Sequence, residues 1–118
     1  MTKLSDREVT RLVLIGAREV LSDPARWTQH VWARDADGIA TSRFGNDAVC
    51  WCVSGAIQLV VAGMLSDPNA ATRAAKCAVV CFVQAACKSE YVTDWNDWPM
   101  RQHAEVISGF DAAIVSVS

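Results

Sequence analysis

No strong charge of either sign runs through this sequence. Eleven Lys and Arg residues stand against thirteen Asp and Glu, a formal net charge of −2. That balance gives no field for drawing in DNA, RNA or an anionic membrane, so nucleic acid and membrane are not expected partners. The basic residues are also scattered, at Arg7, Arg11, Arg18, Arg26, Arg34, Arg43, Arg73, Lys76, Lys88 and Arg101. The longest nearly apolar run, AVCWCVSGAIQLVVAG, is shorter than a bilayer span and carries Ser54 and Gln58. The N-terminal MTKLSDREVTRL is too polar for the apolar stretch of a signal peptide. The six glycines are dispersed, which excludes a glycine-rich phosphate loop. There is no CxxC pair and no pair of histidines at ligand spacing. DADG, residues 35–38, lacks the later ligands and closing glutamate of a calcium loop. No metal and no other cofactor is therefore expected. The sequence reads as cytosolic, with its five cysteines reduced and mostly serving as small core residues.

What is present fits a single domain spanning residues 1–118. With 52% hydrophobic and 20% charged residues, the chain is globular in composition. The expected fold is all-α or mostly α: a compact four-helix domain, with a short hairpin or ordered loop between the first two helices. The first helix opens on a capping box, Ser5 with Glu8. Val9, Leu12, Val13, Gly16, Ala17, Val20 and Leu21 mark its apolar stripe, and Pro24 ends it. Residues 25–46 have no helical stripe. Here the alternatives are a hairpin, Gln29–Arg34 against Ile39–Ser42 turning at Gly38, or a long loop anchored by Trp27 and Trp32.

The spacing predicts a second helix from about Asp47 to Ala62, capped by Asn46 and ended by Gly63. It is apolar nearly all round and belongs at the centre of the fold. Gly55 suits the close approach of another element, and Ser54 and Gln58 must find partners. A third helix starts at Asp67–Pro68 and runs to about Lys88, with Arg73, Lys76, Gln84 and Lys88 on its wet side. A fourth starts near Trp98 or Pro99. His103, Val106, Ile107, Phe110, Ala113, Ile114 and Val117 line its core side, and Arg101 and Glu105 pair weakly opposite.

Two readings of TDWNDWPMRQHAEV, residues 93–106, stand side by side. In one, Asp97 caps the helix and His103 ties the loop to the core. In the other, Cys52 in the second helix is a thiol of lowered pKa, His103 its base, Asn96 or Asp97 the group that orients the imidazole, and Gln29 an oxyanion donor. No local signature of a cysteine enzyme surrounds Cys52, so capping is the favoured reading. Tryptophan usage points to the loops. Trp27, Gln29, Trp32, Trp95, Trp98 and Arg101 are the candidate binding residues, and the WTQHVW and DWNDW segments should pack on each other over the start of the second helix.

RWTQHVWARDADG, DAVCWCVSGAI and WNDWPMRQHAEVI together resemble a family of small uncharacterised bacterial and phage proteins, a domain of unknown function. Its members pair a W-C-x-x-G-A block with a later W-N-D…R-x-H-A-E-V block. The resemblance spans residues 26–110 in blocks, with His30 and Val31 departing from it. It implies that the two blocks belong together, and it implies no activity.

The sequence thus points first to a non-catalytic binding or interaction module, a homo-oligomer or the partner of another protein. A cysteine-dependent hydrolase or transferase using Cys52 and His103 is the alternative. A phage-type regulator contacting nucleic acid comes third.

Overall fold

A computed structural model describes residues 4–88 and 91–118. Helix α1 spans Asp6–Val20. Its capping box is formed as expected, with the Glu8 N–H on the Ser5 hydroxyl and the Glu8 carboxylate on the Ser5 N–H. The chain leaves it through a 3₁₀ turn, Pro24–Arg26, capped by Asp23. The buried face of α1 is Thr10, Val13, Leu14, Ala17 and Leu21. The expected stripe was rotated slightly: Leu12 is 40% exposed while Leu14 is fully buried. In the run LVLI the apolar residues alone do not say which one faces inward.

Residues 25–52 carry the main departure from expectation. Strand β1, Ala33–Arg34, pairs antiparallel with β2, Cys50–Trp51, setting Ala33 opposite Trp51 and Arg34 opposite Cys50. The expected hairpin forms only at its turn end, where Thr41 N–H donates to Ala33 O. Asp35 accepts the N–H groups of Asp37 and Ile39, Gly38 takes φ +80°, and Arg34 bridges Ala40. The residues expected to begin the second helix are instead extended. Val49 donates to Arg34 O, Cys52 to Trp32 O, and Trp51 O accepts from Thr28. These long-range bonds satisfy the backbone of residues 49–52 without a helix, so α2 starts late, at Val53–Met64, with Cys52 and not Asn46 as its cap.

Gly55 shows why β1 can sit on α2. A Cβ there would lie 2.4 Å from the Trp32 carbonyl oxygen. The first half of α2 is buried, whereas Ala62, Gly63 and Met64 are exposed, so this helix is not enclosed on all sides. Ser54 and Gln58 find each other at 3.4 Å.

Helix α3 spans Pro68–Phe82 and continues as a π-helical turn, Val83–Cys87. Asp67 caps it through the Ala70 N–H, with Pro68 first, and Arg73, Lys76, Gln84 and Lys88 are exposed as expected. A short helix, α4 at Val92–Asp97, was not expected. It displaces the start of the last helix, α5, to His103–Ser116. The cap of α5 is Gln102, with Glu105 reaching back to it, and not Asp97. The apolar stripe of α5 faces the core as read, with Val106, Phe110 and Ala113 fully buried.

α1 packs on α2, α3 and α5, and α4 covers the start of α2. Phe82 stands at the meeting point, 4.8 Å from Phe110 and edge-on to Trp95 at 5.3 Å between ring centroids. The Cα radius of gyration, 13.5 Å, is that of a compact chain of this length. The mostly helical fold expected from the sequence is the one observed.

Candidate functional site

The two tryptophan-bearing segments do meet over the front of α2, and a single amide joins them. Asn96 is buried in α4 at 1% exposure. Its Oδ1 accepts the Trp27 indole N–H at 2.9 Å and the Val53 N–H at 3.0 Å. Its Nδ2 donates to Thr28 O at 3.1 Å and to Asp97 Oδ1 at 2.9 Å. Every donor and acceptor of the amide is used. Gln29 adds bonds from Nε2 to the carbonyls of Asn96 and Trp98, both at 2.9 Å. Arg101 donates to Trp95 O, stacks over the Trp95 ring at 3.9 Å and pairs with Glu105 at 3.2 Å. Trp27, Gln29, Trp95 and Arg101 are therefore committed to holding the loops together. Of the tryptophans proposed for binding, Trp32 and Trp98 remain substantially exposed.

The proposed catalytic pair is arranged differently from expectation. The Cys52 thiol is buried, and its Sγ accepts the Gly55 N–H at 3.2 Å. Burial pushes its pKa up, outweighing the opposing Gly55 N–H, and the nearby Asp97 carboxylate adds a lesser rise. The expected lowering by the helix N-terminus is thus reversed. The His103 Nε2 lies 2.6 Å from the Leu21 carbonyl oxygen, with its ring 6.5 Å from that of Trp27. No hydrogen bond links it to Cys52, Asn96 or Asp97 among the described residues, and Gln29 is turned to backbone carbonyls. His103 ties the end of α1 to the start of α5.

A different imidazole shares a cleft with Cys52. A hollow of about 170 Å³ is lined by His30, Trp32, Cys52, Ser54, Asn96 and Asp97 with Val31, Val92 and Thr93. His30 takes φ +74°, rare for a residue with a side chain. Its N–H bonds Asp97 Oδ1 at 2.8 Å, and its Nδ1 lies 3.9 Å from Asp97 Oδ2. In the sequence His30 stood out only as a departure from the family's pattern. No three His, Cys, Asp or Glu side chains among the described residues are placed to share a metal ion.

The larger apolar feature lies elsewhere. A groove of about 450 Å³ runs between α2 and α3, floored by Val61, Ala71, Ala75 and Val79 and walled by Phe44 and Val80. A second hollow of about 460 Å³ continues it past Val79, Val80 and Val83 to Tyr91. Beside Phe44, the Arg43 guanidinium is clamped between two rings, 4.5 Å from the Trp32 centroid and 4.6 Å from that of Phe44. Sequence reasoning did not single out Arg43 and Phe44. Only the adjacency of a cation and an aromatic in a loop marked them.

These features define a small helical domain whose loops are stapled over one helix end and whose helices α2 and α3 leave an apolar groove between them. The chain belongs to a family of unknown function, DUF6197, whose profile matches residues 6–116. No curated protein and no solved structure matches it.

Proposed function

We propose that this protein is a non-catalytic binding module of the cytosol that docks another protein along the apolar groove beside α3. One observation carries the reading. The continuous helix Pro68–Cys87 has a mean hydropathy of 1.3 over its most apolar 18 residues, yet only 22% of that window is buried. Phe44, Met64, Val80 and Tyr91 are 40–79% exposed around it. Among the described residues Val80 is the exposed large apolar side chain of this helix, and with Phe44 it borders the groove between α2 and α3; apolar surface left open along a groove is the usual mark of an interface. The test is a photo-crosslinking amino acid placed at Val80 or Tyr91, with Arg11 on α1 as the control position. Crosslinks specific to the α3 positions in the native cytosol support the reading, and self-crosslinks make it a homo-oligomer. Equal or absent crosslinking at all three positions counts against it.

A second reading keeps Cys52 as a nucleophile, favoured by one fact: Cys52, His30 and Asp97 line one cleft. The imidazole in that reading is His30 and not His103. It requires the thiol to react with iodoacetamide at neutral pH despite its burial, and a loss of that reactivity in His30→Ala.

A further inference from the structure

We propose that the α2–α3 groove takes an amphipathic helix of a partner protein whose flanks carry carboxylates. This rests on the reading as a binding module and specifies the partner's chemistry. Shape comes first. From Ala71 to Gln84 the groove and its continuation follow α3 for about 20 Å at 1.5 Å per residue, room for three to four helical turns. Alanines on the floor allow a close helix axis, and Phe44 and Val80 supply walls for apolar side chains at i, i+3 and i+7 spacing.

Charge then selects the partner. Among the described residues, Lys76 is the single charged one lining the groove, and no carboxylate lines it. Arg43 stands at its Phe44 edge. Four arginines of this chain are half-buried. Arg18 bonds Asp111, Arg34 bonds Thr28, Gly38 and Gln29, and Arg101 bonds Trp95 and Glu105. Arg43 alone among them has no side-chain hydrogen bond or ion pair with a described residue, and its Nε is buried without an acceptor among the described residues. Rings position this cation but do not neutralise it. A carboxylate presented from outside would pair with its terminal nitrogens, in a place partly shielded from water where such a pair is stronger than on an open surface.

The same facts disfavour other occupants. A two-fold partner copy would set this cation-edged, carboxylate-free groove against itself, opposing like charges. A bilayer surface is broad and flat and cannot enter a concave groove between two helices.

The experiment titrates two synthetic peptides into the ¹⁵N-labelled full chain. Both are amphipathic helices with Leu and Ala at groove-facing positions; one carries Glu on its flanks, the other Lys. The expected result is that the Glu peptide shifts the amide peaks of Phe44, Ala75, Val79 and Val80 and binds about tenfold or more tightly than the Lys peptide. Arg43→Glu should reverse the preference, and Val80→Asp, at an exposed position, should abolish binding with the fold intact. Equal binding of both peptides in the groove overturns the charge assignment while leaving a docking module. Peptides that leave the groove peaks unmoved overturn the proposal, and crosslinks from Val80 would then keep the broader reading alive. Sedimentation with anionic vesicles, lost in Arg43→Glu, would overturn it in favour of a membrane surface.

Discussion

The side-chain oxygen of Asn96 accepts the backbone N–H of Val53 at 3.0 Å. Val53 is the first residue of α2, and its N–H is one of the donors that a helix leaves unpaired. The Cys52 thiol satisfies the N–H of Gly55, three positions on. The start of α2 is therefore capped from two sources, one local and one brought across the fold by α4.

This makes Asn96 a sensitive polar position. Asn96→Ala leaves the Val53 N–H and the Trp27 indole N–H without their acceptor in a site water barely enters. The expected loss is about 2–4 kcal/mol. Asn96→Asp keeps the acceptor but loses the donations to Thr28 O and Asp97, setting two carboxylates side by side. It should also be destabilised, and least so at low pH. Urea unfolding of the three proteins measures both effects.

Two glycines of α2 should respond oppositely to the same change. At Gly55 an added Cβ would meet the Trp32 carbonyl oxygen at 2.4 Å and force β1 off the helix, so Gly55→Ala should cost about 2 kcal/mol or more. At Gly63 nothing lies within 4 Å, and Gly63→Ala should stabilise by about 0.5–1 kcal/mol through helix propensity. Thermal unfolding of the pair checks the contrast. A neutral Gly55→Ala would mean that β1 is free to lift.

The close approach at Gly55 was legible in the sequence, as was the meeting of WTQHVW with DWNDW, because each left a local mark: a glycine inside a helical run, and tryptophans clustered in polar segments. The Ser5–Glu8 and Asp67–Pro68 helix starts were legible for the same reason. The start of α2 was not. DAVCWC reads as helix by composition, and only its pairing with residues 28–34, distant in sequence, makes it extended. His103 was singled out over His30 on similar grounds. His103 lay on an apolar stripe and His30 in an unpatterned loop, yet the left-handed turn at His30 places that residue at the cleft. Such a turn in a residue with a side chain has no signature in the sequence. Arg43 was passed over because what distinguishes it is a missing partner, which only coordinates reveal.

His103 should behave as a structural residue. Its bond to the Leu21 carbonyl covers an acceptor at the end of α1. His103→Ala should cost about 1–2 kcal/mol. It should leave the alkylation rate of Cys52 in the folded protein unchanged. A rate that falls tenfold or more in the variant, with unfolding allowed for, would instead couple the two groups and restore them as a catalytic pair.

The Cys52 thiol fixes the direction of one pH effect. Burial raises its pKa above the ordinary 9.0. The unfolded chain therefore releases this proton first as pH rises through about 9, while the folded chain still holds it. In that window the unfolded state binds fewer protons, so stability falls with rising pH, by at most about 1.4 kcal/mol per pH unit from this group. Cys52→Ser removes the titration and retains an oxygen able to cap Gly55. The stability of the wild type relative to Cys52→Ser should be constant from pH 7 to 8 and decline above 9, as urea unfolding at each pH would show. Iodoacetamide should label folded Cys52 more slowly than the unfolded chain at every pH in this range, since the thiolate is what reacts. A folded-state rate exceeding the unfolded one at pH 7 would mean that the cleft stabilises the thiolate, and would move the balance from docking module to cysteine chemistry.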